Sequence, residues 1–121
     1  MATPAKPMPS TENVLAFRTP AGATSVHAGE TKELGVVDTS RFDKIRLVAD
    51  ERIGSGCNIL VRLTITEGNE LVAFLDQVLL QPHQQLTKVY DVPATKLTVS
   101  MMGVGNPGTT AAADVLIYGQ F

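Results

Sequence analysis

Apolar and polar residues alternate most regularly between Cys57 and Thr66. The apolar positions are Cys57, Ile59, Val61, Leu63 and Ile65, and the residues that alternate with them are polar except Leu60. Because successive side chains of a β-strand point to opposite faces, this pattern predicts a strand with one buried and one exposed face. Weaker alternation predicts further strands at 14–18, 25–28, 32–37, 41–49, 86–92, 96–101 and 114–120.

These short segments are separated by glycine and proline turns, which is typical of two packed antiparallel sheets. We therefore predict an all-β sandwich, jelly-roll-like or of another Greek-key form. A length of 121 residues suits a single domain at 13–121. Residues 1–12 hold three of the seven prolines and are predicted to form an extended arm. The predicted core contains Ile59, Val61, Leu63, Ile65, Leu97 and Val99.

The charged, glycine-containing segment at 50–56 predicts a loop between the strands at 41–49 and 57–66. If these two strands form a hairpin, three basic side chains lie together on its outer face. They are Lys44, Arg46 and Arg62. Such a basic face would receive an anionic partner, or acidic side chains from an adjacent strand.

The segment at 70–80 fits two structures. Its apolar residues recur at the spacing of an amphipathic helix. The preceding turn at 67–69 directly follows a strong strand, which favours a returning strand with a bulge near Asp76 and Gln77. The sequence leaves both the helix and the strand open.

Composition bears on partners and location. Ten basic and twelve acidic residues give a net charge of −2, which argues against a nucleic-acid partner because phosphate binding usually requires a basic excess. The first twenty residues lack the apolar stretch of a signal peptide, and no run approaches membrane-spanning length. We therefore expect no membrane insertion and a place in the cytoplasm or in an assembled particle.

The residues that usually carry chemistry are few and scattered. Cys57 is the only cysteine and occupies a position predicted to be buried, while His27 and His83 have no metal-ligand spacing to other residues. No catalytic, metal or cofactor site is therefore predicted. The loop-like segment GVGNPGTT at 103–110 is the expected place for a ligand, with Gly103, Gly105 and Asn106 as its candidate residues.

The strand pattern resembles the jelly-roll modules of viral coats, tail structures and lectin-like domains, which is a likeness of fold. Together with the arm at 1–12 and an apolar terminal strand ending at Phe121, it favours a non-enzymatic structural protein. Such a protein would assemble with copies of itself into a coat, tail or filament, using its ends for strand addition. A module that binds a carbohydrate or small polar ligand is the alternative, and a hydrolase is the third hypothesis.

Overall fold

The computed structural model describes residues 13–19, 24–54, 56–67, 70–91 and 96–121. These residues form nine strands, and none of them lies in a helix that is long and apolar enough to cross a membrane. The strands are β1 (Asn13–Arg18), β2 (Thr24–His27), β3 (Thr31–Asp38), β4 (Lys44–Gly54), β5 (Cys57–Glu67), β6 (Glu70–Leu80), β7 (Gln85–Asp91), β8 (Lys96–Gly105) and β9 (Thr110–Gln120).

The strands form two antiparallel sheets. The first sheet has the order β1-β9-β4-β7, with β2 pairing beside β1 along the same edge of β9, and the second sheet has the order β3-β8-β5-β6. From β3 onward, each strand lies in the sheet opposite to its predecessor, except that β6 follows β5 in the same sheet. This alternation is the strand arrangement of a jelly roll. The prediction of a two-sheet antiparallel sandwich is confirmed.

The core lies between the inner faces of the two sheets. Ile45 and Ile117 from the first sheet belong to the same apolar cluster as Leu97 from the second, and none of the three is exposed. Five of the six predicted core residues are at most 1% exposed, and the sixth, Ile65, is half-buried against the cluster. Alternation along β5 and β8 therefore identified the inward-facing side chains correctly.

The ambiguous segment at 70–80 is a strand. Leu63 pairs with Asp76 and Thr64 pairs with Phe74, so Leu75 is an extra residue on β6, and a second register shift follows two residues further along β5. Each bulge adds one residue to the period-two alternation of the strand. The resulting apolar spacing imitates that of a helix, which explains why the sequence left both structures open.

The predicted hairpin between 41–49 and 57–66 is wrong. β4 continues through most of the expected loop to Gly54, and it pairs with β7 and β9, whereas β5 pairs with β6 and β8. The charges that suggested a loop fit this strand in part because Asp50 and Arg52 lie on its outer face. The short connection after β4 therefore crosses from one sheet to the other.

The apolar residues on both faces of 114–120 indicated an interior or covered strand, and β9 is interior. It pairs with β4 along one edge and with β1 and β2 along the other. The expectation that this strand adds to another subunit is wrong because both of its edges are already paired. Phe121 packs on Phe42, with 5.2 Å between ring centroids. The predicted arm at 1–12 lies outside the described residues.

Candidate binding surfaces

The outer face of the second sheet carries two apolar rows that cross its four strands. The strand register places their members side by side, in the order β3, β8, β5, β6. One row is Thr31, Met102, Leu60 and Leu79, and the other is Val36, Thr98, Thr64 and Phe74. We call these eight residues the apolar outer face.

Large apolar side chains at the edges of this face are exposed. Phe74 is 62% exposed, Val36 is 52% exposed and Leu79 is 45% exposed. Thr64 and Thr98, at the centre of their row, are buried, although alternation predicts them to be exposed. Alternation assigns a side chain to a face, but it does not predict how far the neighbouring strands cover that side chain. Leu60, the one apolar residue on the polar side of β5, was the signal for this surface in the sequence.

A polar row separates the two apolar rows. It consists of Glu33, Ser100, Arg62 and Gln77. Arg62 Nε donates a hydrogen bond to Gln77 Oε1 over 3.3 Å, and its guanidinium lies 4.8 Å from the centre of the Phe74 ring. One acidic and one basic side chain therefore lie in the same row, two strands apart.

The outer face of the first sheet contains a depression of about 360 Å³. The register places seven of its lining residues in two adjacent rows. The first row is Arg18, Leu116, Val48 and Thr87, and the second is Asp114, Asp50 and Gln85. Arg52, which also lines the depression, extends from a bulge in β4 and has no residue paired with it on β9. We call this depression the polar pocket.

The charges of the polar pocket are partly paired. Arg52 Nε lies 2.8 Å from Asp114 Oδ2 and 3.4 Å from Asp50 Oδ2. Asp114 is only 8% exposed, and its Oδ1 has no hydrogen-bond partner among the described residues. Arg18 is exposed and forms no ion pair with any of the residues that the structure describes. Two aspartates that share one arginine, and a second arginine without an ion pair, thus line one concave surface.

The three residues of the predicted basic face are not brought together. Lys44 and Arg46 lie on the outer face of β4 in the first sheet, whereas Arg62 lies on the outer face of the second sheet. Lys44 Nζ pairs with Asp91 Oδ1 at 2.9 Å, and this hydrogen bond raises the pKa of the lysine. The error follows from the hairpin prediction, since strands in opposite sheets present their outer faces on opposite sides of the sandwich.

The residues of the predicted ligand loop lie at the end of β8 and in the turn after it. Gly103 and Gly105 are strand residues, and Asn106 begins the turn to β9. A side chain on Gly103 would overlap the backbone oxygen of His27, and one on Gly105 would overlap the backbone of Gly56. Close backbone packing accounts for both glycines. A ligand role for this segment stays a prediction.

A third polar cluster links the two sheets at the edge formed by β6 and β7. Asp76 Oδ2 accepts hydrogen bonds from Lys88 Nζ over 2.7 Å and from Tyr90 Oη over 2.8 Å. These bonds, the one from Lys88 foremost, hold the pKa of Asp76 below its usual range, while burial and the Asp76 carboxylate raise the pKa of Tyr90. Sequence reasoning missed this cluster because its members belong to different sheets.

Cys57 is buried, whereas both histidines are exposed. Cys57 is 1% exposed within the core, as predicted. His27 is exposed, with its Nδ1 3.0 Å from Thr110 Oγ1, and His83 lies exposed in the turn between β6 and β7. Within the described ranges, no three side chains of the metal-binding types come together.

Comparison with known proteins identifies a shared fold. No protein-family model and no curated protein matches this chain. A solved structure from the disulfide-linked pili that form Bacillus endospore appendages matches with a TM-score of 0.51 and 12% sequence identity, covering 98% of this chain and 99% of the other. At this identity the likeness concerns the fold, which the two chains share over nearly their whole length.

Proposed function

We propose that this protein is a non-catalytic structural subunit that assembles with copies of itself, and that the apolar outer face is one of its contact surfaces. The exposed side chains of Phe74, Val36 and Leu79 carry the proposal. These three large apolar side chains are exposed on one face of a single sheet, and clustered exposed apolar side chains are typical of protein–protein contacts. Burying them against an equivalent surface would gain about 25 cal/mol per Å² of apolar area.

The arrangement of this face suits a second copy. Consider a copy related by a two-fold axis that runs parallel to the strands, midway between β8 and β5. Each row then lies over the same row of the partner copy, with Phe74 opposite Val36 and Leu60 opposite Met102. Arg62 of one copy lies over Ser100 of the other, one strand away from Glu33, so unlike charges come close. In this arrangement apolar positions therefore face apolar positions, and unlike charges lie near each other.

The fold comparison supports self-assembly of this protein, but not through the disulfides of the similar pili. The similar chain comes from pili that are linked by disulfides. This chain has Cys57 as its only cysteine, and that thiol is buried. The contact proposed for this protein is therefore non-covalent and depends on burial of apolar surface rather than on interchain disulfides.

The second contact and the kind of assembly are proposed from the sequence and from the fold comparison. A filament or other extended assembly needs a second contact besides a two-fold one, because a two-fold contact by itself closes into a dimer. The arm at 1–12 is the candidate for that second contact. A coat, a tail and a pilus-like filament are each consistent with such a subunit, and the fold likeness to a pilus chain favours the filament.

The proposal is tested by measuring molar mass with light scattering over a range of concentrations. The full-length protein is expected to self-associate, and Phe74→Asp is expected to weaken that association at least about tenfold because a charge must then be buried in the contact. Val89→Asp is the matched control, since Val89 is also an exposed apolar residue on an edge strand but belongs to the other sheet.

Association of the Val89→Asp variant should stay within about twofold of the wild type, because the altered residue lies on the opposite side of the sandwich. A full-length protein that stays monomeric at every concentration would overturn the proposed function. If both variants weaken association equally, the apolar outer face is not the contact surface.

A further inference from the structure

We propose that the polar pocket on the first sheet binds an acidic sugar, meaning a hydroxylated ring that carries a carboxylate. This site lies on the side of the sandwich opposite the apolar outer face, so the inference does not depend on self-assembly. Its lining combines an unpaired cation, carboxylates that accept hydrogen bonds and a short apolar floor. Each part matches one feature of such a ligand.

The unpaired cation matches the carboxylate of the ligand. Arg18 has no ion-pair partner in the described part of the chain, and it lines the pocket in the same row as Leu116. A guanidinium presents parallel N–H donors that fit the two oxygens of a carboxylate. The other pocket cation, Arg52, is already shared between two aspartates, so an anionic group would bind at Arg18.

The remaining polar groups match sugar hydroxyls. Asp114 lines the pocket, with its Oδ2 held 2.8 Å from Arg52 Nε, whereas its Oδ1 is buried and out of reach of a ligand. Asp50 lies directly beside it in the register, and Gln85 and Thr87 add a side-chain amide and a hydroxyl from β7. Arg52 fixes the orientation of both carboxylates. The pocket therefore offers acceptors and donors on adjacent rows, as a ring with several hydroxyls requires.

The floor and size of the pocket fit a single ring. Val48 and Leu116 lie next to each other at its centre and offer an apolar surface to the carbon face of a sugar. A volume of about 360 Å³ is near the lower limit for ligand sites, which run from about 300 to 1,000 Å³. The many polar groups around the floor disfavour an apolar ligand because binding would leave them without partners.

A purely structural role explains only part of this arrangement. The ion pair between Arg52 and Asp114 connects β4 with β9. The guanidinium of Arg52 is exposed, and exposed ion pairs contribute little to the stability of the fold. It does not account for the unpaired Arg18 or for the concave shape between the rows. A ligand that bridges Arg18 and the aspartates accounts for both.

The test is a titration of the full-length, isotope-labelled protein with glucuronate, followed by NMR chemical shifts. Glucose is the uncharged probe of similar shape, and acetate is the carboxylate without the ring. Glucuronate is expected to bind at least about tenfold more tightly than either one, with shifts centred on Val48, Thr87 and Leu116. A charge-assisted hydrogen bond is large enough to produce a difference of this size.

The decisive variant is Arg18→Gln, which should weaken glucuronate binding about tenfold or more. Arg46→Gln removes the same charge from the same sheet face without altering the pocket lining, and it should change binding by less than about twofold. Thr87→Val provides a second variant that keeps the shape of its side chain but removes its hydroxyl. The inference is overturned if glucuronate does not bind, if acetate binds as tightly, or if Arg46→Gln acts as strongly as Arg18→Gln.

Discussion

At the scale of single residues, Gly103 illustrates how a position without a side chain determines local packing. Its N–H donates to the carbonyl of Glu30 over 3.0 Å, and its own carbonyl accepts from Gly29 over 2.8 Å. The turn between β2 and β3 therefore lies directly against β8. The structure needs a glycine here because of the close approach of two backbones, whose positions cannot shift as easily as a side chain.

We expect Gly103→Ala to destabilise the fold by about 1–3 kcal/mol, because the added methyl group overlaps the backbone at His27. Urea unfolding measures the change. Gly108→Ala is the comparison, since Gly108 has open space around it and a φ of +86°. That change should cost about 1 kcal/mol from backbone strain alone. If Gly103→Ala is as stable as the wild type, the packing role is refuted. The predicted role of Gly103 in binding a ligand would then be the remaining explanation for the glycine.

The sequence predicted burial correctly where the alternation of side chains along a strand determines it. The inward residues of β5 and β8 followed from alternation, because a sandwich strand has one side facing the core. Thr64 did not follow, since its burial depends on the strands beside it and on side chains far away in the sequence. Asp114 and Arg18 could not be singled out at all, because their proximity is a result of strand pairing between the two ends of the chain.

At the scale of strands, the cluster of Asp76, Lys88 and Tyr90 connects β6 of one sheet with β7 of the other. Lys88 and Tyr90 extend from β7 to the same carboxylate oxygen. The Asp76 side chain is 26% exposed, so solvent screens the cluster only in part. It holds the two edge strands together where none of the nine described strands covers the gap.

This cluster makes stability depend on pH in a defined direction. Because the folded pKa of Asp76 lies below its unfolded value, its contribution is complete above the unfolded pKa of about 3.9 and is lost as the pH falls through the folded pKa. We expect Asp76→Asn to be less stable than the wild type at pH 7 by about 1–3 kcal/mol. The difference should decrease below about pH 4, as measured by urea unfolding at each pH.

Asp91→Asn is the matched control. Asp91 also accepts a hydrogen bond from a lysine, but its side chain is 86% exposed, so its loss should change stability by well under 1 kcal/mol. A destabilisation of Asp76→Asn that stays constant from neutral to acidic pH would show that the carboxylate charge is not responsible.

The sequence predicted the strands more successfully than their partners. β6 is ambiguous in the sequence because its bulges disturb the alternation, and the charges and glycines at the end of β4 predict a loop instead of a strand. Both errors concern features that depend on how a strand pairs with its neighbours. A bulge is defined by the register with a neighbour, and a charged strand is stable when its outer face meets water and its inner face meets the core.

At the scale of the whole molecule, strand order decides which side chains share a surface. The two faces of the sandwich differ in character as a result. The first sheet presents a polar pocket in which two aspartates share Arg52, and the second presents apolar rows around one acidic and one basic residue. Sequence alone predicted the sandwich but not these surfaces, since placing Arg62 with Lys44 required a strand order that the molecule does not have.

The charges of the apolar outer face distinguish the proposed two-fold contact from other modes of self-association. In the proposed two-fold contact, Arg62 of each copy lies near Glu33 of the other. Glu33→Arg and Arg62→Glu should therefore each weaken self-association about tenfold or more, because like charges then meet. The double variant restores unlike pairs and should recover most of the wild-type affinity, although Arg62→Glu also removes the contact of the guanidinium with Phe74. Sedimentation analysis of all four proteins measures the affinities, with Lys44→Glu on the opposite sheet as the control for net charge. A double variant that associates no better than the weaker single variant would exclude this geometry, even if the wild-type protein self-associates through another surface.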